Sequence, residues 1–342
     1  MAAAKKLKIA LIGCGMISEF HAQAISELKD AKLVGVYDKA LERSEAFAEK
    51  HGIKVYKEYQ DLLDSDVDLV SICTPSGLHV DFAVSLLENG KNVLIEKPVA
   101  ITYEGCKRLE EAAAKSGKVC AGVSQFHYSK DILKAKEILD SGILGKIFLC
   151  NLDMKYHRSK QYFANSWRGT FAMDGGGALM NQGIHGVDLI RFLNGEIEYV
   201  NAKVGTFVHD IEVEDTAVAR VKYKNGAIGM IQGTTSVYPG YPRRMEFFGD
   251  KGSLVLEEST VIYLNVPEMP EMNISRTNTK MNSSNNPASI SHEEHKIQYE
   301  DVIKAIKTGS KLFYPINEAI DSVKTILAIY DSSKEDKDVY VK

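Results

Sequence analysis

The sequence has no apolar run of about 18 residues or more, so it offers no membrane-spanning helix. Cysteine is scarce and odd in number: the five (Cys14, Cys73, Cys106, Cys120 and Cys150) show no C-x-x-C spacing. They read as buried or free thiols of a reducing compartment, not as a disulfide framework. Positive charge is not in excess, with 42 Lys and Arg against 46 Asp and Glu and a net charge of -4. That excludes the electrostatic footprint expected of a nucleic-acid binder. Lys5, Lys6 and Lys8 lead into an apolar stretch, but Gly13 and Gly15 interrupt it and no small-residue cleavage site follows. No signal peptide is therefore expected, and the chain reads as cytoplasmic. With 44% apolar and 26% charged residues it is an ordinary globular composition, and 342 residues divide best into two domains.

Short apolar runs alternate with helical patterns up to residue 123. Strands are read at Lys8–Ile12, Lys32–Tyr37, Ile53–Tyr56, Asp68–Cys73, Asn92–Ile95 and Lys118–Val123. Between them lie helical segments such as Leu41–His51, stopped by Gly52, and Tyr103–Ser116, stopped by Gly117. This rhythm predicts an α/β domain over residues 1–123, a doubly wound parallel sheet of the Rossmann kind. The remainder, 124–342, changes character. Helices are read at Ile132–Leu139 and Leu179–Leu193, then consecutive strands with hairpin signals at Lys224-Asn225-Gly226 and around Gly249–Gly252. An α+β domain with a largely antiparallel sheet is expected there. Residues 267–290, rich in Asn and Ser, are expected to form a long surface loop. Ser291 with Glu294 resembles a capping box opening a helix to Lys307, and Pro315–Tyr330 is read as the closing helix.

Gly13-Cys14-Gly15-Met16-Ile17-Ser18 is a variant of the dinucleotide fingerprint placed after a strand and before a helix. Gly13 permits the tight turn, Gly15 lets a pyrophosphate approach, and Ser18 supplies the third small residue. Asp38 ends the second strand, 20 residues beyond Ser18, where a carboxylate binds adenosine ribose hydroxyls and repels a 2′-phosphate. NAD is therefore the expected cofactor. Lys39 beside it keeps NADP as the alternative.

Two further segments carry chemistry: Ile95-Glu96-Lys97-Pro98, and Asp174-Gly175-Gly176-Gly177-Ala178-Leu179-Met180-Asn181-Gln182-Gly183-Ile184-His185. With the fingerprint, the Thr74-Pro75 to His79 loop and Trp167-Arg168-Gly169-Thr170, they resemble the Gfo/Idh/MocA oxidoreductase family over residues 7 to about 330. The resemblance implies a second domain with an open-faced sheet. It implies hydride transfer between a nicotinamide and a ring hydroxyl of a sugar, nucleotide sugar or cyclitol. It carries over Lys97 and His185 as the catalytic centre. An imidazole suits acceptance of the hydroxyl proton at neutral pH, and an ammonium can stabilise the developing alkoxide. It also implies that Thr74, Pro75, His79, Gln125, Trp167 and Arg168 lie near the cofactor, with Glu96 setting the charge of Lys97 or touching the cofactor.

Many members of the family carry Asp where this chain has Asn181. An amide can hydrogen-bond substrate or orient His185 from the same helix face, but it cannot take up a proton. The MNQ-x-x-H form resembles a subset that includes UDP-N-acetyl-glucosaminuronate 3-dehydrogenases. Tyr156, His157, Arg158, Tyr162 and Arg168 supply donors for a polyol or an anionic sugar, with His295 and Gln298 as further substrate contacts. His292 and His295 with Glu293 and Glu294 do not match a metalloprotease spacing, and no metal is expected. An uncovered sheet face would need a partner copy, so a homodimer or homotetramer is expected. Two alternatives stand beside this reading: an NADPH-driven reductase of a sugar ketone or diol-type substrate, and a non-catalytic sensor of nucleotide or sugar.

Overall fold

The computed structural model describes residues 6–164, 167–276 and 292–342. These divide into two compact units: residues 6–125 with 292–320, and residues 126–276 with 321–342. Among the described residues no helix is long and apolar enough to cross a membrane.

In the first unit six strands form one parallel sheet: β1 (Leu7–Ile12), β2 (Ala31–Tyr37), β3 (Lys54–Val55), β4 (Leu69–Ile72), β5 (Asn92–Ile95) and β6 (Cys120–Gly122). Their order is β3-β2-β1-β4-β5-β6. The connecting helices are α1 (Met16–Ser26), α2 (Leu41–His51), α3 (Tyr59–Leu63), α4 (His79–Glu88) and α5 (Tyr103–Ser116). Strands such as β4 are buried along their whole length, which is why they read as continuous apolar runs. Local chemistry sets the helix ends: Thr102 Oγ1 accepts from Gly105 N to open α5, and Gly52 takes φ 63° to close α2. The order of strands reverses between β1 and β4. Loops leaving their carboxyl ends therefore flank the crevice where this architecture binds nucleotides.

In the second unit nine strands form a mixed sheet. They are β7 (Ile147–Lys155), β8 (Ile197–Gly205), β9 (Thr216–Tyr223), β10 (Ile228–Thr234), β11 (Arg244–Gly249), β12 (Ser253–Glu257), β13 (Thr260–Asn265), β14 (Ile274–Ser275) and β15 (Val339–Tyr340). The order is β14-β13-β12-β11-β7-β10-β9-β8-β15. The β7–β10 pair is parallel, and the pairs flanking it, β10–β9 and β11–β7, are antiparallel. Helices α6 (Lys130–Asp140), α7 (Lys160–Phe163), α8 (Phe171–Asp174) and α9 (Ile184–Asn194) belong to this unit.

Four features differ from the sequence reading. Helix α10 (Glu293–Thr308) belongs with the first unit, although the sequence reading assigned everything after residue 123 to the second domain. Its Tyr299, Val302 and Ile303 share one apolar core with Ile9, Leu11 and Ile25. A contact made so far along the chain leaves no local mark in the sequence. Second, the helix expected at Leu179–Leu193 opens as a π-helix over Ala178–Gly183 and becomes α-helical only at Ile184. Third, part of the expected 267–290 loop is ordered: a turn at Pro270–Met272 leads into β14, which pairs with β13. Ser291 of the expected capping box lies outside the described residues, and so do residues 277–290 of that loop. Fourth, the closing helix α11 (Ile316–Glu335) runs past Tyr330.

Candidate active site

The glycine turn is built as its residue types require. Gly13 sits at φ +97°, and a Cβ there would lie 2.6 Å from the Cys73 carbonyl oxygen. No other residue fits that approach of β1 to β4. Ser18 Oγ donates to the Gly13 carbonyl at 2.8 Å, closing the turn from inside the core. Gly15 is the N-cap of α1, which has no side-chain cap, and the space a Cβ would occupy at Gly15 is open. Uncapped N–H groups beside open space form an anion cradle, so these residues fit a dinucleotide pyrophosphate. Both oxygens of Asp38 are fixed, Oδ2 by Cys14 N at 2.9 Å and Oδ1 by Ala40 N at 2.8 Å. The Asp38 carboxylate is thereby tied to the glycine turn itself. Met16 is exposed, Ile17 half-buried, and Lys39 exposed.

The loops after β4 and β5 are joined by His79. One ring nitrogen meets the Thr74 carbonyl at 2.9 Å and the other the Pro98 carbonyl at 2.8 Å. Burial holds this imidazole below its ordinary pKa despite the two carbonyl acceptors. A ring that is 1% exposed thus bridges the two loops that the sequence reading set near the cofactor. Pro75 caps the short turn that follows β4, and Thr74 Oγ1 is buried with no hydrogen-bond partner among the described residues. Gln125 is buried just after β6, and its Oε1 is likewise unpartnered among those residues.

Glu96 turns into the protein. Its Oε1 lies 2.9 Å from His21 Nε2 and 3.9 Å from His295 Nε2, and its Oε2 accepts from the Lys97 backbone N at 3.0 Å. His21 Nδ1 meets Tyr299 Oη at 2.6 Å, and Tyr299 Oη meets Ser71 Oγ at 2.6 Å. Burial works against charge on Glu96, but the hydrogen bond and charge of His21 outweigh it and hold the carboxyl down at about 2. Burial likewise opposes charge on His21, yet its contacts with Cys73, Tyr299 and Glu96 hold the imidazole well above its usual range. Ligand atoms of His21, Glu96 and His295 fall within 4.8 Å of one another, as a metal site would require. Both His21 nitrogens, however, already face protein partners at hydrogen-bond distance, so the cluster is read as a charge-neutralising network. His21, Ser71 and Tyr299 were not anticipated from the sequence. The available signal was a histidine on the inward face of the fingerprint helix. His295, expected at the substrate, lies 2% exposed in this network. Gln298 binds the backbone of β6, donating to Gly122 O at 2.8 Å.

In the second unit the triple-glycine segment is packed too tightly for side chains. A Cβ at Gly177 would lie 2.0 Å from the Glu214 carbonyl oxygen, and one at Gly176 2.1 Å from Tyr330 Oη. The Glu214 carboxylate accepts from Gly177 N, Leu179 N and Tyr330 Oη, each at 2.8 Å. This anchors the start of the π-turn. Asn181 and Gln182 both direct their backbone N–H to Gly177 O, the widened pitch that presents their side chains. His185 follows at the start of α9, half-buried, with the Phe126 ring edge-on at 5.0 Å.

Asn181 Nδ2 donates to Asp174 Oδ1 at 2.6 Å, and its Oδ1 accepts from Gln182 Nε2. Gln182 also donates to Tyr162 Oη at 2.8 Å and accepts from Arg158 Nε at 2.8 Å. Arg158 is buried beneath the Tyr156 and Tyr162 rings, and burial pushes the Tyr156 hydroxyl pKa up. Arg168 stacks on Tyr162 at 4.2 Å and on Trp167 at 5.1 Å. The second unit thus collects Tyr156, Arg158, Trp167, Arg168, Asn181 and His185, and the first collects the fingerprint, Asp38, Thr74, His79, Glu96 and Lys97. Asp174 and Gln182 were not anticipated as site residues.

A glycine turn with open space at its helix N-terminus, beside a carboxylate fixed at the end of β2, fits a dinucleotide. Residues 7–123 match the oxidoreductase family with an NAD-binding Rossmann fold, and residues 132–255 match the GFO/IDH/MocA C-terminal domain. The chain belongs to the GFO/IDH/MocA oxidoreductase family. Among relatives, myo-inositol 2-dehydrogenase of Thermotoga maritima is 27% identical over 75% of this chain and 78% of its own length. The D-glucoside 3-dehydrogenase of Escherichia coli is 29% identical over 73% of this chain and 77% of its own. The structure of the WlbA dehydrogenase from Bordetella pertussis, in complex with NADH and UDP-GlcNAcA, superimposes with a TM-score of 0.88. It is 28% identical and covers 99% of each chain.

Proposed function

We propose that this dehydrogenase oxidises a ring secondary alcohol of a sugar, nucleotide sugar or cyclitol, with His185 as acid/base and Lys97 as the stabiliser of the alkoxide. The observation that supports it is the glycine turn, in a chain whose Glu96-Lys97-Pro98 and Asn181-to-His185 segments resemble the family's catalytic motifs. Gly13, Gly15, Asp38 and the loops of Thr74 and Lys97 would hold NAD, which supplies the hydride-accepting ring when bound. His185 accepts the hydroxyl proton as the carbonyl forms, and its half-buried ring lets that proton pass on to solvent. The Lys97 ammonium offsets negative charge on the substrate oxygen, a role worth a few kcal/mol for a comparable donor.

Arg158 and Arg168, stacked on the rings of Tyr162 and its neighbours, favour an anionic sugar over a neutral polyol within this class. UDP-GlcNAcA, bound in the Bordetella relative, is the first substrate to test. Five free thiols fit a reducing, cytoplasmic setting. Exposed Val218, Ile228, Met230 and Tyr263 share the uncovered face of the second sheet and support assembly into a dimer or tetramer. The direct test follows NADH absorbance with UDP-GlcNAcA and myo-inositol. Lys97→Ala should lose turnover on the order of 100-fold or more while NADH binding persists. Unchanged turnover in that variant would displace the proposed centre.

A further inference from the structure

We infer that Asp174 is the positioning residue for Asn181, and that the two form one unit holding a single negative charge. The inference rests on the proposed place of Asn181 in the active site. Asp174 is 3% exposed and ends the short helix α8. Its Oδ2 accepts from Gly169 N and its Oδ1 from Asn181 Nδ2, each at 2.6 Å. Such short contacts are those of an ionised acceptor. From Asn181 the polar chain continues through Gln182 to Arg158, so donors and acceptors run in one direction from a guanidinium to a carboxylate. That direction fixes which way the Asn181 amide faces: its NH2 towards Asp174, its oxygen towards Gln182.

The arrangement explains the departure at position 181. A carboxylate there would stand at the same 2.6 Å from the Asp174 carboxylate. Two such groups in a buried site cannot both ionise; one keeps its proton and titrates upward. In this chain the charge therefore resides on Asp174, one side chain away from the proposed substrate position, and Asn181 meets the substrate uncharged. The pair should also work with its members exchanged.

The test is a cycle of Asn181→Asp, Asp174→Asn and the exchanged double variant. Activity is read with NAD and either UDP-GlcNAcA or myo-inositol from about pH 6 to 9, and urea unfolding at the two ends of that range. Asn181→Asp should lose on the order of 100-fold in kcat near pH 8, recover part of it towards pH 6, and be less stable at the alkaline end. Asp174→Asn should lose a similar factor and keep the parent's pH profile. The double variant should return to within about 10-fold of the parent and regain its pH dependence. A double variant no better than either single one, or an Asn181→Asp pH profile matching the parent, would overturn the pairing. If neither probe is oxidised by the parent, the proposed substrates fail, and the pH-dependent unfolding of the same variants still decides the pairing.

Discussion

Replacing Glu96 with Gln should reverse how the first unit responds to acid. The parent network carries one buried carboxylate and one buried imidazolium, 2.9 Å apart, with His21 unexposed and Glu96 5% exposed. The carboxyl of Glu96 is lowered from 4.5 to about 2. Its contribution is complete above pH 4.5 and is lost as pH falls through about 2, a difference on the order of 3 kcal/mol. His21 is raised above 6.5, so its contribution is complete below pH 6.5 and is lost as pH rises through its folded value. The parent pair is thus insensitive to pH between 4.5 and 6.5. Gln keeps an oxygen to accept from Lys97 N but removes the carboxylate charge that faces His21 Nε2 at 2.9 Å. Breaking a buried pair from one side costs about 3–5 kcal/mol. His21 then stays neutral when folded and gains its proton on unfolding, so stability falls with acid by up to about 1.4 kcal/mol per pH unit below the ordinary histidine range. Urea unfolding followed by far-UV circular dichroism at about pH 7.5, 6 and 5 measures both the offset and the slope. A variant within about 1 kcal/mol of the parent at neutral pH, with a parallel profile, would show that the pair is not ionised.

Two further outcomes follow from the geometry. A Cβ at Gly15 meets no atom within 4 Å and the φ of -82° is one that Val tolerates, so Gly15→Val should keep the melting temperature while NADH affinity falls at least about 10-fold by fluorescence titration. Equal affinity would mean that the pyrophosphate does not approach Gly15. Light scattering should give a mass of two or four chains, and a monomer at micromolar concentration would leave the uncovered sheet face without a partner.

Much of the first unit was legible because its determinants are local. Leu41–His51, Asn92–Ile95 and Tyr103–Ser116 form as read, since glycine stops and buried runs act within a turn or two. Gly13 and Ser18 read as one turn because they share a short continuous stretch, closed by Ser18 Oγ donating to the Gly13 carbonyl. The π-turn at Ala178–Gly183 was not, because the contacts that fix it come from Glu214, far along the chain.

The parallel sheet, the glycine turn and the family were readable before folding, because each rests on short motifs whose signals are local. It took folding to show that α10 completes the first unit's core, that Glu96 faces His21 inside the protein, and that Asp174 lies beside Asn181. Each of these is a pairing of buried polar or apolar groups brought together by folding. A carboxylate's partner, unlike its position in a motif, is chosen by where burial leaves no water to serve instead.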